Sequence, residues 1–208
     1  MDEVVQKVTA FITRERNGVK ELLVFRHPNA GIQIPAGTVE DGEHLETAVK
    51  REVYEETGLQ IVKIEKYLGC VEDELKADER IIARTTQVYI EPDLNAIPYK
   101  QELTRGLTIR YHSMKEDFTH ISYIEYDRFP DPTCILYNIA GWVPNANLST
   151  QKTRHFYYLT TREKTEDAWE LKSDRDHIFK PYWTPLFPKP PVVPTQRKWL
   201  DFVYEKII

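Results

Sequence analysis

At 208 residues with a formal net charge of −5, the chain is long enough to bury a core and carries no overall attraction for nucleic acid or anionic membranes. Its 41% hydrophobic and 29% charged residues are those of a soluble globular protein, and no stretch approaches the ~20 apolar residues of a membrane span. Cys70 and Cys134 are too few for a disulfide framework and too far apart for a zinc site. They read as reduced thiols of a cytoplasmic protein, and the opening Met1-Asp2-Glu3 lacks the basic start of a signal peptide.

In chain order, Val4 to Thr13 is rich in β-branched residues and reads as a strand. Asn17-Gly18 is a hairpin turn, and Glu21 to Arg26 is the partner strand. Gly31 to Gly42, with Pro35 and Gly37, reads as a loop. His44 to Glu56 has apolar Leu45, Ala48, Val49 and Val53 at helical spacing, and Gly58 stands where a helix stops. Gln60 to Tyr67 and Arg84 to Ile90 read as strands, and Leu107 to Tyr111 with Thr119 to Tyr126 as a β pair. Asp131 to Ala140 reads as a short helix, with Pro132 in its first turn and Gly141 at its end. Arg154 to Thr160 and Pro181 to Leu186 are further strands. The proline run from Pro188 to Pro194 is a stiff connector to a last helix within 195–208, with Thr195 as its N-cap and Leu200, Val203 and Ile207 on one face. Interleaved strands and helices make the class α/β or α+β.

The helix over 44–56 has an unusual face. At about 100° per residue, with Glu52 at zero, Glu55 falls near 300° and Glu56 near 40°, in the stripe of Leu45, Ala48 and Val49. Thr47, Lys50 and Tyr54 take the opposite side. Carboxylates crowded toward a core repel one another and lose hydration. A hard divalent cation, Mg²⁺ or Mn²⁺, compensates directly, and spacings of three and four residues bring the side chains within reach of a common ion. A solvated acidic helix end is the plainer alternative.

Around that helix stand Gly37, five residues, Glu43, seven residues, and then Arg51-Glu52-Val53-Tyr54-Glu55-Glu56-Thr57-Gly58-Leu59. This resembles the box of the Nudix hydrolases with no departures, and Gln33-Ile34-Pro35-Ala36 before it is similar to that family's approach to the box. The resemblance implies an α/β/α sandwich with a mixed sheet, in a single domain over 1–208. Residues from about 4 to 72 would form its first half, and those from about 153 to 207 its closing strands and helix. Residues from about 75 to 150 would be an inserted, largely β segment. It implies a pyrophosphohydrolase acting on a nucleoside diphosphate linked to another moiety. Glu52, Glu55, Glu56 and the Gly37 carbonyl would hold Mg²⁺ or Mn²⁺, with Glu52 helping to deprotonate water. Arg51 would pair chiefly with Glu43, and Gly37 and Gly58 would serve backbone geometry.

Other residues have weaker claims. Arg26, at a strand end before the box, could meet a substrate phosphate. Glu170, Asp174 and His177 lie where some relatives carry a late base, whereas His155 reads as a packed or solvated strand residue. Trp142, Trp169, Trp183 and Trp199 could stack on a base but are commonly core residues. The β pair within 107–126 could cover a core edge or form a homodimer contact.

A catalytically silent Nudix-fold sensor of a nucleotide-like ligand is the competing function. It would be expected to lack a box glutamate and to carry a DNA-binding partner, and neither is evident. An isoprenoid diphosphate isomerase would need a cysteine before the box, where there is none. An RNA 5′-end hydrolase is a substrate variant that the acidic charge disfavours.

Overall fold

In a computed structural model of the protein, residues 3–73, 75–128, 131–172 and 177–208 are described. The chain opens with β1 (Val5–Arg16) and β2 (Val19–His27). Between them Asn17 and Gly18 both take the left-handed backbone, φ 51° and 76°, which a two-residue hairpin turn requires. The expected loop contains two short strands, β3 (Gly31–Gln33) and β4 (Ala36–Thr38), which pair with β2 and β1. Helix α1 (Leu45–Thr57) ends at Gly58, whose φ of 78° closes the last turn with its N–H donating to the Tyr54 carbonyl. Then come β5 (Val62–Asp73), β6 (Glu79–Ile82), β7 (Thr108–Lys115), β8 (Phe118–Tyr126), β9 (Ile135–Pro144) and β10 (Leu148–Ser149). The chain finishes with β11 (Lys152–Thr161), β12 (Leu171–Lys172), β13 (Ile178–Pro185) and α2 (Pro194–Val203).

The first sheet runs β12-β13-β2-β1-β11-β5, with β3 and β4 on β2 and β1. It is mixed, because β1 and β11 are parallel while its other pairs are antiparallel. Strand alternation makes both faces apolar. Val8, Ala10, Ile12, Leu23 and Leu159 meet Ala48, Val49 and Val53 of α1. Phe11, Leu22, Val24 and Phe156 meet Leu200 and Val203 of α2. A sheet buried on both sides between helices is the α/β/α sandwich. The second sheet, β10-β6-β7-β8-β9, is antiparallel and holds its own cluster of Ile82, Val88, Leu103, Ile109, Ile121, Ile139 and Val143.

Three expectations are corrected. Residues 84–90 form no strand; they run irregularly, joined by isolated bridges from Thr86 to Leu103 and from Tyr89 to Trp142, with Val88 filling the second core. The segment 131–140 is not a helix: from Ile135 it is β9, because pairing with β8 buries Ile139 and Val143 on one face. The last helix is capped by Val193, with Pro194 in its first turn and no side-chain cap bond, so Thr195 lies inside it. Among the described residues no helix is long and apolar enough to cross a membrane.

Candidate active site

The site forms where α1 packs against the strand pair β4 and β1. The Val39 N–H donates to the Gln6 carbonyl, and the Ala10 N–H to that of Pro35, so the segment 35–39 is stitched along β1. Glu52 turns inward from α1 and is buried. Its carboxylate lies over Gly37 where a Cβ would otherwise stand. Glu56, one turn on, accepts the Ala36 N–H at 2.8 Å. Glu55 points outward and is exposed. The shared stripe is therefore real for Glu52 and Glu56 and only partial for Glu55.

Arg51 binds this group together. Its Nε and Nη2 donate to the two oxygens of Glu43 at 3.0 and 2.8 Å. Nη1 donates to Glu52 at 2.9 Å and to Glu55 at 3.1 Å, and Nη2 also donates to the Thr38 carbonyl at 3.0 Å. The planar guanidinium thus ties helix to loop in a way a lysine could not. Hydrogen bonding to Arg51 holds the Glu43 carboxyl below the usual range. The same bond to Glu43 makes Arg51 hold its proton more tightly than usual.

Burial acts oppositely on the other two carboxyls. It raises Glu52, against the opposing pull of Arg51. It raises Glu56 further, with Glu52 next door adding repulsion and the Ala36 N–H and Arg154 pulling back. Arg154 is itself buried, with its guanidinium 3.9 Å from the Trp199 ring centre and its Nε 3.6 Å from Asp73. Among the described residues no three His, Cys, Asp or Glu side chains are already gathered around one ion position.

A cleft of about 830 Å³ opens over these carboxylates. Glu52, Glu55 and Glu56 line it, with Gln33, His27, His177 and Phe179 from the first sheet and its flanks. The end of β8 with the two residues after it supplies Tyr123 through Arg128, and Pro132 and Leu136 come from just before and within β9. Residues of the second sheet as cleft lining were missed in the sequence; the available signal was the aromatic, alternating stretch 119–126. A smaller cleft on the other side of Glu52 is lined by Gly37, Thr38, Arg84 and Arg105.

Arg26 is exposed and lies outside the larger cleft's lining, whereas His27 beside it lines that cleft. Glu170 is exposed and paired with Lys180, and Asp174 lies outside the described residues. His155 is held by Tyr67 and Gln6 in hydrogen bonds of 2.9 and 2.6 Å. None of the four tryptophans lines the cleft. Trp169 donates to the Thr57 carbonyl, Trp183 is buried under Arg14, and Trp142 faces His120.

The sequence of residues 5–100 matches the family model described as the NUDIX domain, a stretch that includes β1, β2 and the whole of α1. This match supports the family resemblance carried by the box residues. NUDIX domains serve as hydrolases and as ligand-binding modules, and the enzymes among them generally use divalent metals such as Mg²⁺. No curated protein matches the chain. Among solved structures it is similar to the NUDIX domain of Shewanella oneidensis NrtR complexed with ADP ribose, at 11% identity and a TM-score of 0.48, over 99% of this chain and 90% of that one.

Proposed function

We propose that this protein is a metal-dependent pyrophosphohydrolase that cleaves the diphosphate linkage of a nucleoside diphosphate joined to another moiety. One observation carries the reading: two carboxylates, Glu52 and Glu56, are drawn inward at a cleft that Glu55, Glu125 and Asp127 make still more negative. Among the described lining residues Arg128 is the one guanidinium. A diphosphate meets repulsion there unless cations accompany it. The donors fit a hard divalent ion, being carboxylate and carbonyl oxygens. Glu52, Glu55, Glu56 and the Gly37 carbonyl would hold Mg²⁺ or Mn²⁺, which when bound neutralises phosphate charge and makes water acidic.

The protein's own groups do the positioning. Arg51, fixed on Glu43, holds the Glu52 carboxylate over Gly37, and from there Glu52 would take a proton from the attacking water. The Ala36 N–H fixes Glu56. In this reading residues 1–208 act as one domain, with the segment of about 75–150 inserted so that the end of β8 forms part of the cleft.

The test is a panel of nucleoside triphosphates, ADP-ribose, dinucleoside polyphosphates and nucleotide sugars with Mg²⁺ and Mn²⁺, run beside Glu55→Gln and Glu56→Gln. Metal-dependent release of a phosphorylated product by wild type, reduced at least a hundredfold in the variants, is expected. Indistinguishable behaviour of wild type and variants on every compound overturns it. A second reading, ligand binding without turnover, is favoured by the engagement of Glu52 and Glu55 oxygens by Arg51. The same panel separates the two, because a binding module would hold a compound and leave it intact.

A further inference from the structure

Three large side chains, Ile124, Tyr126 and Leu136, line the cleft from the end of the second sheet. Tyr123 and Tyr137 turn toward that sheet's own core, with ring centres 6.1 Å apart. Alternation along β8 puts Ile124 and Tyr126 on the other face, and both line the cleft, which Tyr123 and Glu125 also border. Leu136 reaches it by a different device. Glu125 pairs with Tyr137 and Tyr126 pairs with Ile135, so Leu136 is the extra residue of a β-bulge. Bulges re-aim a side chain beside active sites, and Leu136 too lines the cleft.

These residues are 42%, 48% and 61% exposed, a concentration of apolar surface beside five carboxylates. The first sheet adds rings to the same cleft. His27 lies 5.1 Å from Phe179 and 5.1 Å from His177, centre to centre. The His27 Nδ1 accepts the Asn29 N–H, and burial together with His177 keeps the ring from protonating as readily as usual. Rings and aliphatic side chains suit a flat, uncharged group, and the Glu125 carboxylate can accept N–H donors, while Asp127, already bound by Thr133 and Cys134, adds negative charge that rejects a second anion.

We propose that Ile124, Tyr126 and Leu136 are the specificity wall of the cleft and hold the planar nucleobase of the ligand. The proposal rests on the hydrolase reading for the rest of the ligand, and its own content is which part of the chain selects the base. With the Tyr126 ring or the Leu136 side chain removed from beside the base, each of Tyr126→Ala and Leu136→Ala should raise KM for the best base-bearing substrate roughly tenfold. The expected kcat stays within about twofold, since neither residue holds the diphosphate. Tyr126→Phe restores KM, which separates ring contact from any role of the hydroxyl. Thermal unfolding of each variant checks that the sheet is intact, and Ile124→Val offers a milder probe if an alanine variant unfolds.

If wild type turns over the panel but the folded wall variants keep its KM values and substrate order, the wall is disproved while the hydrolase reading stands. If wild type cleaves nothing, the hydrolase reading fails, and AMP binding with Mg²⁺ decides the wall alone. Binding weakened in Tyr126→Ala and Leu136→Ala supports it, whereas equal or absent binding overturns it.

Discussion

The Glu52 carboxylate lies so close over Gly37 that a Cβ at position 37 would overlap it. The close approach gives Gly37 a reason that has nothing to do with a strained backbone, since Gly37 sits in β4, paired with Val8. Gly37→Ala leaves the strand free to form but drives the carboxylate out of its place between Arg51 and β4. A displacement of ~1 Å in a catalytic group costs about a hundredfold. The expected outcome is therefore a loss of kcat on that order with secondary structure retained, read by steady-state kinetics and circular dichroism. Full activity in Gly37→Ala would show that the Glu52 position does not matter.

Arg51 neutralises a group of acids that repel one another without it. Its side chain is 23% exposed and that of Glu43 is 11%, so the pair is largely shielded from water. Arg51→Gln should cost about 2–3 kcal/mol in urea unfolding, because a shielded carboxylate then loses its partner. Arg51→Lys should recover less than half, as an ammonium cannot bridge Glu43, Glu52, Glu55 and the Thr38 carbonyl together. Equal stability of Arg51→Lys and wild type would refute the bridging role.

Lys7 gives a pH dependence with a defined sign. Its ammonium donates to Thr38 Oγ1 at 3.0 Å and to the Gly106 carbonyl at 3.1 Å, joining β1, the box loop and the segment before β7. Burial, aided by Arg154 and Lys152, lowers its pKa from 10.5 to about 8. Between those values the unfolded chain binds more protons, so stability should rise with pH across that window, by at most about 3 kcal/mol from this group. Below about pH 8 both states are protonated and the contribution is flat. Lys7→Met should remove that rise, measured as the difference between wild-type and variant unfolding free energies from pH 7.5 to 9.5, on the order of the same linkage. A constant difference across the range would contradict it.

The parts legible in the sequence are those set by short-range chemistry. Asn17-Gly18 forces the β1–β2 hairpin through two left-handed residues, and Gly58 stops α1. The spacing of Leu45, Ala48, Val49 and Val53 gives the packed face of α1. What could not be read depends on partners distant in the chain. Pro132 and Gly141 mimic the ends of a helix, yet Ile135–Pro144 becomes a strand because β8 offers it a ladder. Residues 84–90 have strand-like composition but are held by single bridges around Val88. At the site, the spacing of Glu52 and Glu56 shows that they face inward, while the outward turn of Glu55 and the reach of Arg51 across Glu43, Glu52 and Glu55 appear only in three dimensions. The cleft residues Tyr126 and Leu136 belong to the second sheet and depend on the bulge that aims Leu136.

Titration of Mn²⁺ into the protein, followed by electron paramagnetic resonance with and without a non-hydrolysable nucleoside diphosphate analogue, reaches the carboxylates most directly. Wild type should remove free Mn²⁺ from solution, more tightly with the analogue present, and Glu52→Gln and Glu56→Gln should each weaken that uptake at least tenfold. Free Mn²⁺ undiminished by wild type even with the analogue, or uptake unchanged in both variants, would contradict a divalent-cation site built on these glutamates.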